Sequence, residues 1–115
     1  MPYIAKHLSD FTQKEIAAII RKSSRAYKSP GIDILMVPAL KDFGRVIVIT
    51  PRKVGNAPER NRIRRRIKAL FYEHRLYEYL FDTCIIIKKP GIKYTVSELI
   101  PLIEAAFKKH ANRRS

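Results

Sequence analysis

Apolar and polar positions follow two different rhythms along this chain. From Gln13 to Ser23, Ile16, Ile19 and Ile20 recur at helical spacing while Lys14, Arg21 and Lys22 take the other side, so a short amphipathic helix is predicted, capped by Asp10 or Thr12. Arg25 to Lys28 carries no strong period and fits a brief edge strand ahead of a turn at Ser29-Pro30-Gly31. Ile32 to Val37, closed by Pro38, and Arg45 to Thr50, closed by Pro51, are near-continuous apolar runs, which reads as two strands buried in a sheet. Their connection, Ala39 to Gly44, is short and ends in glycine, so an antiparallel hairpin is the economical pairing.

The rhythm then returns to helical. Asn56 and Glu59 have capping-box spacing, with Pro58 in the first turn where its missing amide is harmless. The helix they start is predicted to run to about Tyr79, with Ile63, Ile67, Leu70 and Phe71 on one face, Arg62, Arg65 and Arg66 on one flank, and Arg64 and Lys68 on the other. His74 extends the apolar face as a partly buried histidine facing the sheet, and Tyr72, Tyr77, Tyr79 and Phe81 close the far end of the helix over the core. Thr83 to Lys88 is a further strand ended by Lys89-Pro90-Gly91, with Cys84 among isoleucines as a small buried hydrophobe. Ser97 caps a last helix carrying Leu99, Ile100, Ile103, Ala106 and Phe107, with Pro101 tolerated in its first turns, and a basic tail frays from about residue 108. The prediction is one α+β domain over residues 1–115, a mixed sheet packed by helices. A chain of 115 residues that is 46% hydrophobic can fill such a core.

Charge changes the picture. Lys and Arg number 24 against 10 Asp and Glu, a net charge of +14. Half of that surplus lies between Arg52 and Lys68, where eight basic residues face only Glu59. A field of this strength on so small a domain attracts polyanions and opposes self-association, and nucleic acid fits better than a membrane surface because the apolar residues are spread over several segments. No apolar run approaches the roughly 18 residues of a membrane span, and the charges at Lys6, Asp10, Lys14 and Glu15 interrupt any signal-peptide core, so a cytoplasmic protein is expected, with no membrane and no protein partner evident.

Catalytic chemistry is hard to assemble from these residues. His7, His74 and His110 lack metal-ligand spacing, the carboxylates do not cluster, and the single Cys84 excludes an internal disulfide framework. Asp33 and Asp82 read as structural aspartates at strand starts, and Gly55, in a segment too short for a phosphate loop, as a turn glycine with a positive backbone angle. The arginines are different. A guanidinium fork matches phosphate oxygens in a way solubility alone does not require, and a helix that begins inside the basic stretch adds its positive end. Asn61, between Arg60 and Arg62, costs helix propensity and offers an amide that both donates and accepts.

The segment Thr50-Pro51-Arg52-Lys53-Val54-Gly55-Asn56-Ala57-Pro58-Glu59-Arg60-Asn61-Arg62-Ile63-Arg64-Arg65 resembles, without a gap, the signature of the bacterial ribonuclease P protein subunit family, most specifically in Arg60-Asn61-Arg62. The resemblance extends more weakly from about Leu8 to Lys109. It implies an α-β-β-β-α-β-α sandwich with a left-handed crossover around the arginine-rich helix. It also implies a non-catalytic role: a large RNA cleaves precursor tRNA with Mg2+ held mainly by RNA and substrate, and the protein contacts that RNA and the 5′ leader. On this resemblance Arg52, Lys53, Asn56, Arg60, Asn61, Arg62, Arg64, Arg65, Arg66 and Lys68 are the expected RNA-binding set, Lys68 standing where the family more often has arginine.

The chain departs from the family at the leader cleft, where aromatic residues usually stack on bases. Here the first long helix offers Ile16, Ile19 and Ile20, and the strand Ile32 to Val37 has no aromatic residue. Phe11, Ile16, Ile20, Arg21, Arg25 and Tyr27 are the cleft candidates. A basic ribosomal or RNA-chaperone protein without a role in cleavage is the alternative, and only the Arg-Asn-Arg segment separates the two.

Overall fold

The apolar runs become strands, but not in the pairing their spacing suggests. The computed structural model describes residues 3–114, apart from the side chains of 24–26, 113 and 114. Strands β1 (Ser24–Lys28), β2 (Ile32–Pro38), β3 (Val46–Ile49) and β4 (Phe81–Ile87) form one mixed sheet in the order β1-β2-β4-β3, with helices α1 (Tyr3–His7), α2 (Gln13–Lys22), α3 (Ala57–Glu73) and α4 (Val96–Arg114) around it. The expected hairpin is absent: β4 lies between β2 and β3, antiparallel to β2 from Ile32↔Ile87 to Pro38↔Phe81 and parallel to β3 from Val46↔Thr83 to Ile49↔Ile86. Helix α3 is the crossover that joins the parallel pair. The physical reason is β4 itself, a seven-residue strand buried on both faces, which gains most from the centre of the sheet and displaces the four-residue β3 to an edge. That edge is partly covered, since the Val46 amide donates to the Leu8 carbonyl at 2.9 Å and the Ser9 hydroxyl to the Val46 carbonyl at 2.7 Å.

Alternation along the strands then sorts the side chains. Ile32, Ile34, Met36, Val46, Phe81, Ile85 and Ile87 face α3 and α4 and join Ile63, Ile67, Leu70, Phe71, Leu99, Ile103 and Phe107 in the main core. As the sequence suggests, Tyr72, Tyr77 and Tyr79 pack around its rim and Phe81 is buried in it. The opposite face receives α2, whose Ile19 packs on Leu35 and Cys84, with Phe11, Val37, Ile47, Ile49 and Ile86 half-buried around them. Cys84 is a buried hydrophobe, and burial pushes its thiol up to about 11.

Local chemistry sets the ends of the elements. Thr12, rather than Asp10, caps α2 in a capping box with Glu15. Helix α3 stops at Glu73, not Tyr79: His74 is its C-cap, Arg75 takes a left-handed φ of 55°, and a 3-10 turn follows over Leu76–Tyr79. The apolar period therefore rotates away before His74, which leaves the sheet, turns outward and sits with Nδ1 3.4 Å from Glu104 of α4. Thr95, not Ser97, caps α4, its hydroxyl accepting from the Glu98 amide at 3.3 Å. Pro101 lies on the exposed side inside α4, and the helix continues through the expected frayed tail to Arg114. Gly55 is extended, with φ 175°, so it serves no positive-φ turn; a Cβ there would meet Glu59 and Ile92 at 2.9 Å.

One core group is poorly placed. The Thr83 hydroxyl is fully buried with no hydrogen-bond partner among the described residues. Thr83→Val keeps the shape and removes the desolvation penalty, so stability to urea should rise by about 1 kcal/mol; an unchanged or lowered midpoint would mean the hydroxyl is satisfied by buried water.

Candidate nucleic-acid interface

The basic stretch is shaped by its helix start. The Asn56 side chain accepts from the Glu59 amide at 2.9 Å while Glu59 accepts from the Asn56 amide at 2.9 Å, so this asparagine is committed to the cap. With Ile63, Ile67, Leu70 and Phe71 buried, 100° per residue turns Asn61, Arg62, Arg65 and Lys68 to solvent, and all four are exposed. Arg64 and Arg66 fall on the two flanks and are used internally: Arg64 donates to the Thr50 hydroxyl and to the Asn61 side-chain oxygen, and Arg66 donates to the Tyr94 carbonyl at 3.1 Å. These two arginines brace α3 against the end of β3 and the 89–94 loop.

The other cations have no such partners among the described residues. Arg52 and Lys53 are exposed on a 3-10 turn (Arg52–Val54) anchored by buried Val54, and Arg62, Arg65 and Lys68 extend the same positive surface along α3. Arg60 is half-buried and its Nε is buried without a hydrogen bond. A buried donor of this kind costs free energy until an acceptor arrives, and a phosphate oxygen is the acceptor that fits its charge.

The second part of the site is the face of the sheet that α2 leaves open. A ten-residue helix is about 15 Å long, whereas seven-residue strands extend about 23 Å and four of them span about 14 Å between the outer strand axes, so one face is covered only in part. Ile47, Ile49 and Ile86 stay half-exposed there. Beyond α2 the face opens into a groove of about 640 Å³ lined by Asp33, Pro51, Lys53, Ile86, Lys88 and Lys89, in which Lys88 Nζ donates to Asp33 Oδ1 at 2.8 Å.

The cleft candidates are divided by this geometry. Ile16 is half-buried, and Ile20 and Arg21 are exposed on α2. Phe11 is occupied, its ring centroid 4.2 Å from the Arg45 guanidinium carbon. Tyr27 is not in the cleft: a bulge between Arg25 and Tyr27 pairs it with Ile34, and it packs on the main core across the sheet. The Arg25 side chain lies outside the described residues. The groove residues Asp33, Ile86 and Lys88, and Ile47 and Ile49 on the same sheet face, were not singled out from the sequence as a binding surface. Their signal was strands apolar on both faces with one short helix to cover the second.

What holds α2 over this face is a buried arginine. Only Ile19 of α2 is fully buried, so packing contributes little beyond about 3 kcal/mol. Arg45, 1% exposed, bonds Asp82 at 2.8 Å and Glu15 at 3.2 Å and also donates to the Asp10 carbonyl. Burial alone would lower the Arg45 pKa, but Asp82 and then Glu15 outweigh it and raise the value; the same guanidinium, followed by the Thr12 amide, holds the Glu15 carboxyl below its ordinary range. Among the described residues no three His, Cys, Asp or Glu side chains converge to hold a metal ion, and no helix is long and apolar enough to cross a membrane.

Comparison with known proteins places this fold. The family model described as Ribonuclease P matches residues 9–111, and the chain belongs to that family, a protein component of the tRNA-processing ribonucleoprotein. It is similar in structure to the RNase P protein of Staphylococcus aureus, at 20% identity over 88% of this chain and 93% of that one, with a TM-score of 0.76. A mutant of the S. aureus protein with defective mRNA degradation activity gives 19% identity, 91% and 89% coverage and 0.77, and the Thermotoga maritima RNase P protein gives 16%, 88% and 96%, and 0.74. At these identities the likeness speaks for the fold, an α+β four-stranded mixed sheet packed by helices. No curated protein sequence matches the chain.

Proposed function

We propose that the protein is the RNA-binding subunit of a cytoplasmic ribonuclease P, assisting a catalytic RNA in the endonucleolytic removal of the 5′ leader from precursor tRNA. The exposed face of α3 meets the catalytic RNA, and the groove on the sheet takes the single-stranded leader. The observation that carries this reading is the set Arg52, Lys53, Arg60, Arg62, Arg65 and Lys68, none of which has a hydrogen-bond or ion-pair partner among the described residues, arranged from the turn after β3 along the start of α3 and continuous through Lys53 with the groove. The protein's share of the chemistry is electrostatic. Fixed cations beside closely spaced phosphates reduce their repulsion, so less Mg2+ is required by the RNA and substrate, which hold the ions themselves. Ile86 in the groove, with Ile47 and Ile49 on the same face of the sheet, offers apolar contact to bases in place of aromatic stacking.

The experiment is cleavage of a 5′-extended precursor tRNA by a bacterial ribonuclease P RNA at low magnesium, with and without the protein. Stimulation only in the presence of the RNA is expected. No stimulation by the folded protein with a cognate RNA would transfer the reading to a ribosomal or chaperone role, and cleavage by protein alone would overturn both.

A further inference from the structure

Arg66 is tied to the loop that carries lysines of the groove. Its side chain is half-buried, unlike those of Arg62 and Arg65, and its Nη1 donates to the Tyr94 carbonyl at 3.1 Å. Tyr94 ends a tight piece of chain. From Lys88 the backbone enters a 3-10 turn (Lys89–Lys93), in which the Gly91 amide donates to the Lys88 carbonyl at 2.9 Å and the Tyr94 amide to the Gly91 carbonyl at 3.0 Å. The base of the turn is pinned to the segment before β2: the Lys88 amide donates to the Gly31 carbonyl at 2.8 Å, and a Cβ on Gly91 would run into that same carbonyl. Ile92, 7% exposed, anchors the middle and abuts Gly55, next to the turn that carries Lys53. Lys88, Lys89 and the Tyr94 carbonyl are therefore held as one unit, and a bond from α3 to that carbonyl fixes where the groove's cations stand.

We propose that Arg66 is a positioning residue for the leader, setting the lysine wall of the groove against α3 instead of contacting RNA itself; this rests on the leader-binding reading above. A wall released from α3 would have to be ordered each time a strand entered, at the expense of binding. With the bond in place, Lys88 and Lys89 stand ready for the strand's phosphates, at a fixed distance from the Arg62 and Arg65 face that meets the catalytic RNA.

The test uses the holoenzyme assembled on a bacterial ribonuclease P RNA, and compares its affinity for precursor tRNA with that for mature tRNA. Arg66→Met keeps the apolar stem and removes the donor. It should cut the leader's contribution about fivefold and leave the protein's affinity for the catalytic RNA unchanged. Arg66→Lys, which can still donate to the carbonyl, should retain most of that contribution. In the free Arg66→Met protein the Gly91 and Tyr94 amides should exchange faster while those of β4 keep their protection. Should this variant not fold, Arg66→Gln, polar but too short to reach the carbonyl, carries the same comparison. A fall in affinity for the catalytic RNA with the leader's contribution intact would make Arg66 an RNA contact like its neighbours. If neither affinity moves, the bond serves the fold alone, and the leader reading stands. A leader that adds nothing to binding by the parent protein would remove both.

Discussion

Replacing Arg45 by methionine should destabilise the protein by about 3–5 kcal/mol, a fall in Tm of about 10–20 °C for a domain of this size. The loss comes from what stays behind. Asp82, 1% exposed, would be left as a buried charge without its counter-charge, and Glu15 and the Asp10 carbonyl would lose their partner as well. The double variant Arg45→Met with Asp82→Leu removes both charges and should recover most of the loss, because a buried ion pair is weak against a well-packed apolar replacement. If the double variant is no more stable than the single, packing around the guanidinium and the Phe11 ring, rather than charge, is what Arg45 supplies. Acid provides an independent reading. Glu15 has its pKa lowered in the folded state from an ordinary value of 4.5, so its contribution is complete above that value and is lost as the pH falls through the lowered folded value. The acid limb of the stability curve should flatten in Arg45→Met.

Removing Arg62 and Arg65 together should weaken binding to the partner RNA by about 2–4 kcal/mol and leave the thermal midpoint nearly unchanged, since both side chains are exposed and make no contact that holds the helix. With about six phosphate contacts the parent should show a log–log salt slope near −4 to −5, and the double variant should flatten it by about 1.4. A variant that retains the parent slope would make this surface a solvated face and move the RNA contact elsewhere. Arg64→Ala makes the contrasting case. Its guanidinium bridges Thr50 and Asn61, so it should lower stability as well as affinity.

The long helices and the capping box of α3 were legible because their causes are local: Asn56 and Glu59 are three residues apart, and Ile63, Ile67 and Leu70 repeat within one helix, whereas at α2 Asp10 and Thr12 were equally placed as caps until the Thr12–Glu15 pair decided it. The strand pairing was not, because three runs of similar apolar character can pair in several ways, and which one takes the centre is decided by how much each buries on both faces. Arg45 heads its strand as an ordinary polar residue, and nothing nearby announces that its partners are 30 residues before and 37 after. Tyr27 changed face through a single bulge, an event that alternation cannot foresee. The basic surface of α3 was visible as a charge run, whereas the division between Arg62 and Arg65, left to solvent, and Arg64 and Arg66, used as braces, depends on Thr50 and the Tyr94 carbonyl approaching from elsewhere in the chain.

The place of β4 has a consequence for how the chain is made. β1 can pair with one edge of β2 early, but the other edge of β2, and β3 altogether, find their sheet partner only when residues 81–87 have left the ribosome, some thirty residues after β3 itself. During that interval two apolar strands wait with open edges beside a growing run of arginines, a state prone to aggregation and to capture by any RNA close to the exit tunnel. Completion of β4 closes both edges in one step, so synthesis of this protein should proceed without a stable native-like sheet until that strand emerges, and a nascent chain halted before Phe81 should remain protease-sensitive while one extended past α4 should not.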